Sequence, residues 1–278
     1  MNRRTTGEVT PPGFGPEVWA DVRRTAEHLD PRALVRELAV PTPVPLVVLA
    51  AHPDDETLGL GRLMHQWVRE LGPVTAIVAS AGEACFDQVG PRPADLAARR
   101  LEEWHAALSV LGVDRRHYLG LPDGSLADCG PALSAALRLV ADDWLRSHDQ
   151  VVLAAPWRRD PHPDHRAVGR AAGAVARQLH RPLVEFGVWM TYWSTPDDLL
   201  ADQRRLLVLD TDQAAERAHG LACAEFASQL QSMAPGRGPV VPPAMLGHHH
   251  QQLILLPVQA DPHHPTALPP SDRTGETR

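Results

Sequence analysis

Residues 45–56 read PLVVLAAHPDDE. A short apolar run rich in branched side chains has the pattern of a strand buried on both faces. It ends abruptly in one imidazole and three carboxylates. Charges at the exit of a buried strand are costly unless something neutralises them. The segment therefore implies a sheet covered on both sides and a counter-charge at the strand's carboxyl end.

Moving outward, similar short runs predict strands at Pro45–Ala51, Val74–Ser80, His117–Gly120, Gln150–Pro156, Leu183–Tyr192, Leu206–Asp210 and Gln252–Val258. Helical patterns lie between them at Glu17–Leu38, Thr57–Leu71, Pro93–Leu111, Pro131–Ser147, His162–His180 and Gln213–Ala227. In the third of these, Leu96, Arg100, Glu103, Ala107 and Leu111 recur at helical spacing, and Gly112 supplies a stop. Such alternation predicts the α/β class: a three-layer α/β/α fold around a Rossmann-like, mostly parallel sheet. Ligands of such sheets bind beyond the carboxyl ends of the strands. AHPDDE follows one predicted strand and WRRDPHPDH follows another, so both loops should open on the same sheet edge. Residues 1–16 and 261–278 are rich in Pro, Gly and Thr or Pro and polar residues and are expected to be disordered, leaving one domain over 17–260.

Composition excludes several functions. All 27 basic residues are arginine, so a Walker A loop, a Schiff-base lysine and a kinase-type lysine are ruled out. A net charge of −7 without a basic run argues against nucleic acid and fits a small-molecule partner. No apolar run approaches the ~18 residues of a membrane span, and the arginines near the start precede no apolar stretch of a signal peptide. Cys85, Cys129 and Cys223 are odd in number and widely spaced, as expected of reduced thiols in the cytoplasm. Nothing in the sequence indicates an oligomeric state.

Catalytic zinc usually has three nitrogen or oxygen protein ligands and one open position. His52 and Asp55 are three apart on one loop, and His162 and His165 are three apart on the other, on one face of a predicted helix start. One of the latter pair can bind metal while the other reaches over it. Asp54 and Asp164 are adjacent carboxylates free for proton transfer or for orienting a ring.

These segments resemble the signatures of the LmbE-like, or PIG-L-type, zinc-dependent de-N-acetylases: AHPDDETLG the first and DPHPDH the second. SAGEA (80–84), AARRLEEWHAALSVLGV and GLPDGSL (120–126) are similar to stretches between them, so the likeness runs from about Pro45 to Tyr192. The resemblance implies a hydrolase that removes an N-acetyl or acyl group from an N-acetylglucosamine-like sugar or glycoconjugate through metal-activated water. It implies His52, Asp55 and His165 as ligands of Zn2+, with Fe2+ or another divalent ion as the alternative. Asp54 would be the general base, His162 the oxyanion stabiliser, and Asp164 the group holding the His162 tautomer. Glu83, Arg100 and Asp123 would contact the sugar of a small amino-sugar conjugate. An amidase acting on a larger sugar-linked amide is a second reading. A non-catalytic sugar or nucleotide binder is a third, disfavoured because no G-x-G-x-x-G follows the first strand. Family members often carry Lys-x-x-Ala-x-x-x-His-x-Ser-Gln near the carboxyl end. Here HGLACAEFASQ keeps Ala222, Ser228 and Gln229 but has His219 and Phe226 for the lysine and the histidine, which bears on the shape of the pocket.

Structural alternatives stand beside these roles. Asp54 or Asp164 can cap a helix, Arg100 can pair with Glu103 on the solvent side, Glu83 can be a satisfied loop carboxylate, and PDGS around Asp123 is a turn signature. His248–His250, with His263 and His264, reads as a solvated stretch. VWMTYW (188–193) fits a sugar-pocket wall or core packing equally.

Overall fold

The computed structural model describes Thr10 and residues 12–86, 91–200, 202 and 204–257. Its strands are β1 (Glu27–Leu29), β2 (Leu46–Ala50), β3 (Val74–Val78), β4 (Arg115–Tyr118), β5 (Val152–Pro156), β6 (Leu183–Phe186), β7 (Arg204–Leu209) and β8 (Gln252–Pro257). They form one sheet in the order β1-β7-β8-β6-β5-β2-β3-β4, in which β8 alone is antiparallel to its neighbours. The main helices are α1 (Ala20–Thr25), α2 (Pro31–Glu37), α3 (Asp55–Glu70), α4 (Pro93–Leu111), α5 (Gly130–Leu145), α6 (Pro163–Leu179), α7 (Met190–Trp193), α8 (Pro196–Leu200), α9 (Gln213–Ala224), α10 (Ala227–Leu230) and α11 (Pro243–Leu246).

Alternation along β2 makes the three layers. Leu46 and Val48 join Leu63, Met64, Trp67, Trp104 and Leu111 in a core between the sheet and α3, α4 and α9. Val47 and Leu49 face the other way, onto Leu133, Leu137, Val168 and Ala172 of α5 and α6. Each such buried side chain contributes roughly 1.5–3 kcal/mol of transfer free energy. The indole of Trp67 donates to the carbonyl of Val44 at 2.9 Å, so its polar edge is satisfied inside the core.

Three expected elements differ. The predicted helix Glu17–Leu38 is broken into a 3-10 turn, α1, β1 and α2. Asp30 precedes Pro31, which disfavours helical backbone at that residue, and its side chain instead caps α2 by accepting from the Ala33 amide at 2.6 Å. The strand expected over Leu183–Tyr192 stops at Phe186, because the chain turns at Gly187 and winds its aromatic residues into α7. The strand expected at His117–Gly120 lies two residues earlier, at β4. The other helices begin and end within three residues of expectation. Val258 and the expected tail 261–278 fall outside the described residues, as does most of the segment 1–16. Its described part lies against the body: the Phe14 amide donates to the Tyr192 carbonyl at 2.8 Å.

Two features position the site. β2 pairs with β3 on one side and with β5 on the other, so the crevice beyond the carboxyl ends of β2 and β5 is a topological switch point. At the start of α6, Gly169 packs so closely on the end of β5 that a Cβ there would overlap the Pro156 carbonyl and the Arg158 backbone. That contact brings PHPDH over the strand exit.

Candidate active site and metal centre

The loop after β2 is closed by Asp55. Its Oδ2 accepts from the amides of Ala51 at 3.1 Å and His52 at 2.8 Å, which leaves Oδ1 facing inward. Oδ1 lies 3.2 Å from Nε2 of His165, and that nitrogen lies 3.3 Å from Nδ1 of His52. Nδ1 of His52 is 3.5 Å from the other oxygen of the Asp55 carboxylate, Oδ2. A tetrahedral nitrogen–oxygen site with arms of about 2.0–2.1 Å has ligand edges of about 3.3–3.4 Å. The two edges that meet at His165 have about that length, and all three residues are at least nine-tenths buried.

The outer nitrogens fix which lone pairs point inward. Nε2 of His52 lies 3.0 Å from Asp123 Oδ1 and 3.3 Å from Asp164 Oδ2, so it carries the proton and Nδ1 is the lone pair. Nδ1 of His165 faces Asp160 Oδ1 at 3.5 Å, which leaves Nε2 as the lone pair. Two imidazole lone pairs and a carboxylate oxygen meeting in a buried space repel one another unless a cation lies between them. Protons are drawn there for the same reason. Burial opposes charge on His165, but Asp55 and Asp160 outweigh it and raise its pKa to about 9. His52 is likewise raised, against burial, by Asp123, Asp164 and Asp55. The donor set therefore fits a divalent metal ion. The ligating atoms of His52, His162 and His165 also lie within 4.8 Å of one another, as do those of His52, Asp123 and Asp164.

Asp54 occupies the first position before α3 but makes no side-chain cap. Its φ of 129° is a conformation that non-glycine residues rarely adopt, and such strain costs on the order of 1–3 kcal/mol. The backbone is held there from both sides: the Leu58 amide donates to the Asp54 carbonyl at 2.8 Å, and Arg100 Nη2 donates to the Pro53 carbonyl at 2.9 Å. The same guanidinium donates to Asp54 Oδ2 at 3.3 Å and to the Gly82 carbonyl at 2.8 Å. Burial pushes the Asp54 carboxyl up, Arg100 pulls it down and Asp55 pushes it up again, so that it titrates at about 7.

His162 caps α6, its Nδ1 accepting from the Asp164 amide at 3.3 Å. That bond leaves Nε2 as the N–H donor of the neutral ring. Burial, then the neighbouring His165 and His52, keep the ring neutral by lowering its pKa to about 3. The Asp164 carboxylate has a different task from the one expected. It accepts from the amides of Gly124 at 2.7 Å and Leu126 at 3.1 Å and approaches His52, so its backbone rather than its side chain orients His162.

Of the residues expected to touch a sugar, Arg100 and Asp123 line the cavity at this edge and Glu83 does not. Arg100 is buried against Asp54 instead of pairing with Glu103. Asp123 is held by the Ala84 amide, which donates to it at 2.7 Å, and faces His52. Glu83 accepts from the Asp123 amide at 3.4 Å and so braces that turn. The cavity is about 480 Å3 and has a second, apolar wall of Leu58, Val188, Trp189, Trp193, Val241 and Met245. Trp189 and Trp193 stack at 4.2 Å with 15° between their planes.

Sequence reasoning gave Asp160 no role, although it opens the second motif. It is fully buried, and it accepts from the His162 amide at 2.9 Å and the Trp189 amide at 3.2 Å besides facing His165. Its position five residues before His165 was the available signal. His248 and His249 are buried rather than solvated, with Nε2 of His248 against the Phe14 carbonyl at 2.9 Å; His263 and His264 lie outside the described residues. Phe226 is buried in the main core, and His219 lies 3.4 Å from the Cys223 thiol.

Fold and site together define a three-layer α/β/α protein with a His–Asp–His centre at the switch point of its sheet. Residues 47–176 match the family model described as GlcNAc-PI de-N-acetylase. The chain is 31% identical over 171 residues to the 1D-myo-inositol 2-acetamido-2-deoxy-alpha-D-glucopyranoside deacetylase of Mycobacterium sp. (strain KMS), covering 54% of each chain. It is also 31% identical over 184 residues to the enzyme of that name from Mycolicibacterium gilvum (strain PYR-GCK), covering 55% of this chain and 60% of the other. It thus spans between half and two thirds of the length of these curated relatives. Among solved structures, the A40926 pseudoaglycone deacetylase Dbv21 shares the fold with a TM-score of 0.56 at 21% identity, over 77% of this chain and 97% of that one. No helix among the described residues is long and apolar enough to cross a membrane.

Proposed function

We propose that the protein is a metal-dependent N-deacetylase that hydrolyses the acetamido group of an amino-sugar conjugate, with zinc as the ion held by His52, Asp55 and His165. The observation that carries this reading is the convergence of those three ligands beside a strained, buried Asp54. A purely binding role leaves that strain without a purpose. The inositol–glucosamine deacetylases that the chain resembles favour an N-acetylglucosamine conjugate as substrate.

A bound divalent ion supplies Lewis-acid chemistry at the site, lowering the pKa of water from ~15.7 toward about 7 and polarising the amide carbonyl. Asp54 takes one proton from the attacking water, whose oxygen bonds to the carbonyl carbon. Arg100 keeps that carboxylate ionised and aimed. The Nε2–H of His162 donates to the carbonyl oxygen as negative charge builds there; such a donor is typically worth ~2.7–4 kcal/mol. When the C–N bond breaks, Asp54 returns the proton to the leaving nitrogen, and the products are a carboxylate and an amine.

The apolar wall of Trp189, Trp193, Val241 and Met245 supports a second reading, a larger sugar-linked amide whose substituent lies on that wall. Three free thiols, Cys85, Cys129 and Cys223, support a cytoplasmic setting. Residues 17–260 are read as one catalytic domain. Elemental analysis combined with an amine-release assay on N-acetylglucosamine glycosides tests the proposal. Asp54→Asn should keep metal and lose turnover by several orders of magnitude, whereas His165→Ala should lose the metal. Full turnover in either variant refutes it.

A further inference from the structure

The amino-terminal segment, expected from its composition to be disordered, supplies part of the candidate site. Thr10 lines the same cavity as His52, Asp54 and Asp55, and it is about nine-tenths buried. Its hydroxyl donates to the carbonyl of Val240, another residue of that cavity. The residues that follow are fastened to α7, which carries one part of the apolar wall. The Phe14 amide donates to the Tyr192 carbonyl at 2.8 Å, and Gly13 lies so close that a Cβ there would overlap the Tyr192 carbonyl oxygen and ring. Nε2 of His248 donates to the Phe14 carbonyl at 2.9 Å, and the His248 ring meets that of Tyr192 edge-on, with centroids 5.8 Å apart. Arg23 completes the set, donating from Nη1 to the Pro16 carbonyl at 3.3 Å and from Nη2 to the His248 carbonyl at 2.9 Å. Phe14 itself is 43% exposed, so its side chain adds little to the core. The segment is thus held mainly through backbone polar groups, and the result is a fixed place for Thr10 in the cavity wall.

We infer that Thr10 is a specificity-determining residue: it bounds the room left for an apolar substituent of the sugar conjugate, and Gly13, Phe14 and His248 are positioning residues that hold it there. The inference rests on the amino-sugar reading above. Thr10 shares its cavity with Val241, Met245, Trp189 and Trp193, so a substituent admitted or refused on that side is apolar. Protein interiors are packed closely enough that one methyl group more or less is felt. In an apolar pocket a single methylene changes discrimination between substrates by about tenfold or more.

The test uses the whole chain, metal-loaded, and two series of substrates. One runs from the methyl to the benzyl glycoside of N-acetylglucosamine, and the other from N-acetyl to N-hexanoyl on methyl glucosaminide. Thr10→Ala widens the cavity and should raise kcat/KM for the largest member relative to the smallest by about threefold to tenfold in at least one series. Thr10→Leu narrows it and should lower the same ratio by a similar factor. The series that responds tells whether the substituent sits on the glycosidic or the acyl side. Gly13→Ala, whose added Cβ pushes the segment off Tyr192, should move the ratio in the direction of Thr10→Ala. A purely structural role scales every substrate by one factor. Ratios unmoved in both series, or moved the same way by both Thr10 variants, overturn the inference and leave the amino-sugar reading intact. If the parent neither releases amine from any substrate nor binds the amine products by calorimetry, the amino-sugar reading falls and this inference falls with it.

Discussion

Replacing Arg100 by methionine separates tuning of the base from metal binding. The guanidinium is 3.3 Å from Asp54 Oδ2, and both groups are buried. At an effective dielectric near 20, two unit charges at that distance interact by ~5 kcal/mol, which sets an upper bound of roughly 3.7 pK units. Water entering the vacated space reduces this, so a rise of about two units in the Asp54 pKa is expected. The sign is fixed by chemistry: the carboxylate form takes the proton, and losing a cation favours the acid form. A two-unit rise moves the acid limb of the profile up by about two pH units, so that the variant falls up to about a hundredfold below the parent on that limb and recovers as pH rises. The variant should also be less stable, by about 2–5 kcal/mol, because the Gly82 and Pro53 carbonyls lose their buried donor. The assay is kcat/KM against pH for amine release, at matched metal content. Since the difference between variant and parent is read, the pull of the ion on Asp54 largely cancels. If the acid limb stays in place while the plateau falls, Arg100 does not tune the base and the reasoning is wrong.

Two further outcomes follow from the same geometry. Gly82 has a φ of 67°, and a Cβ there would overlap the Arg100 guanidinium, so Gly82→Ala should cost about 1–3 kcal/mol in thermal or denaturant unfolding and shift the acid limb in the same direction; an unmoved pH profile counts against the coupling. His219 titrates at about 4, lowered by burial and then by Arg62, and His249 at about 3, lowered by burial and then by His219. Both are neutral when folded and take up protons when unfolded, so stability is complete above about pH 6.5 and declines below it, by up to ~1.4 kcal/mol per pH unit for each ring. His219→Gln should remove one proton's worth of that slope in unfolding experiments between about pH 4.5 and 6.5; an unchanged slope shows that the ring is not buried in its neutral form.

The chemistry was legible where it was written in residue types that cannot be buried cheaply. His52, Asp54 and Asp55 at the end of an apolar run announce a ligand from local sequence alone, and the strand exits place both loops on one edge. That the two loops meet is a tertiary fact. It depends on β5 pairing beside β2, which no local pattern encodes. The roles of Asp164 and Asp160 were misread or missed for a related reason: which carboxylate reaches which ring is decided by side-chain direction across the switch point, not by spacing. The break in the first helix was readable in Asp30-Pro31 and was overridden by helical periodicity on either side. The buried His248 and His249 resemble a solvated run until the amino-terminal segment covers them.

Helix α4 ties the candidate site to the carboxyl-terminal motif. Arg100 and Glu103 are one turn apart on it, the first reaching Asp54 and the second reaching Ser228. One helix thus anchors both Asp54 and Ser228. Phe226 packs into the apolar core just before Ser228. Exchange of a polar for an apolar residue at 226 leaves the bonds from Glu103 to Ser228 unaltered, whereas Ser228→Ala leaves the carboxylate without its 2.6 Å donor. The spacing between Asp54 and Ser228 is therefore set by the helix, whereas Phe226 lies in the core and His219 against Cys223.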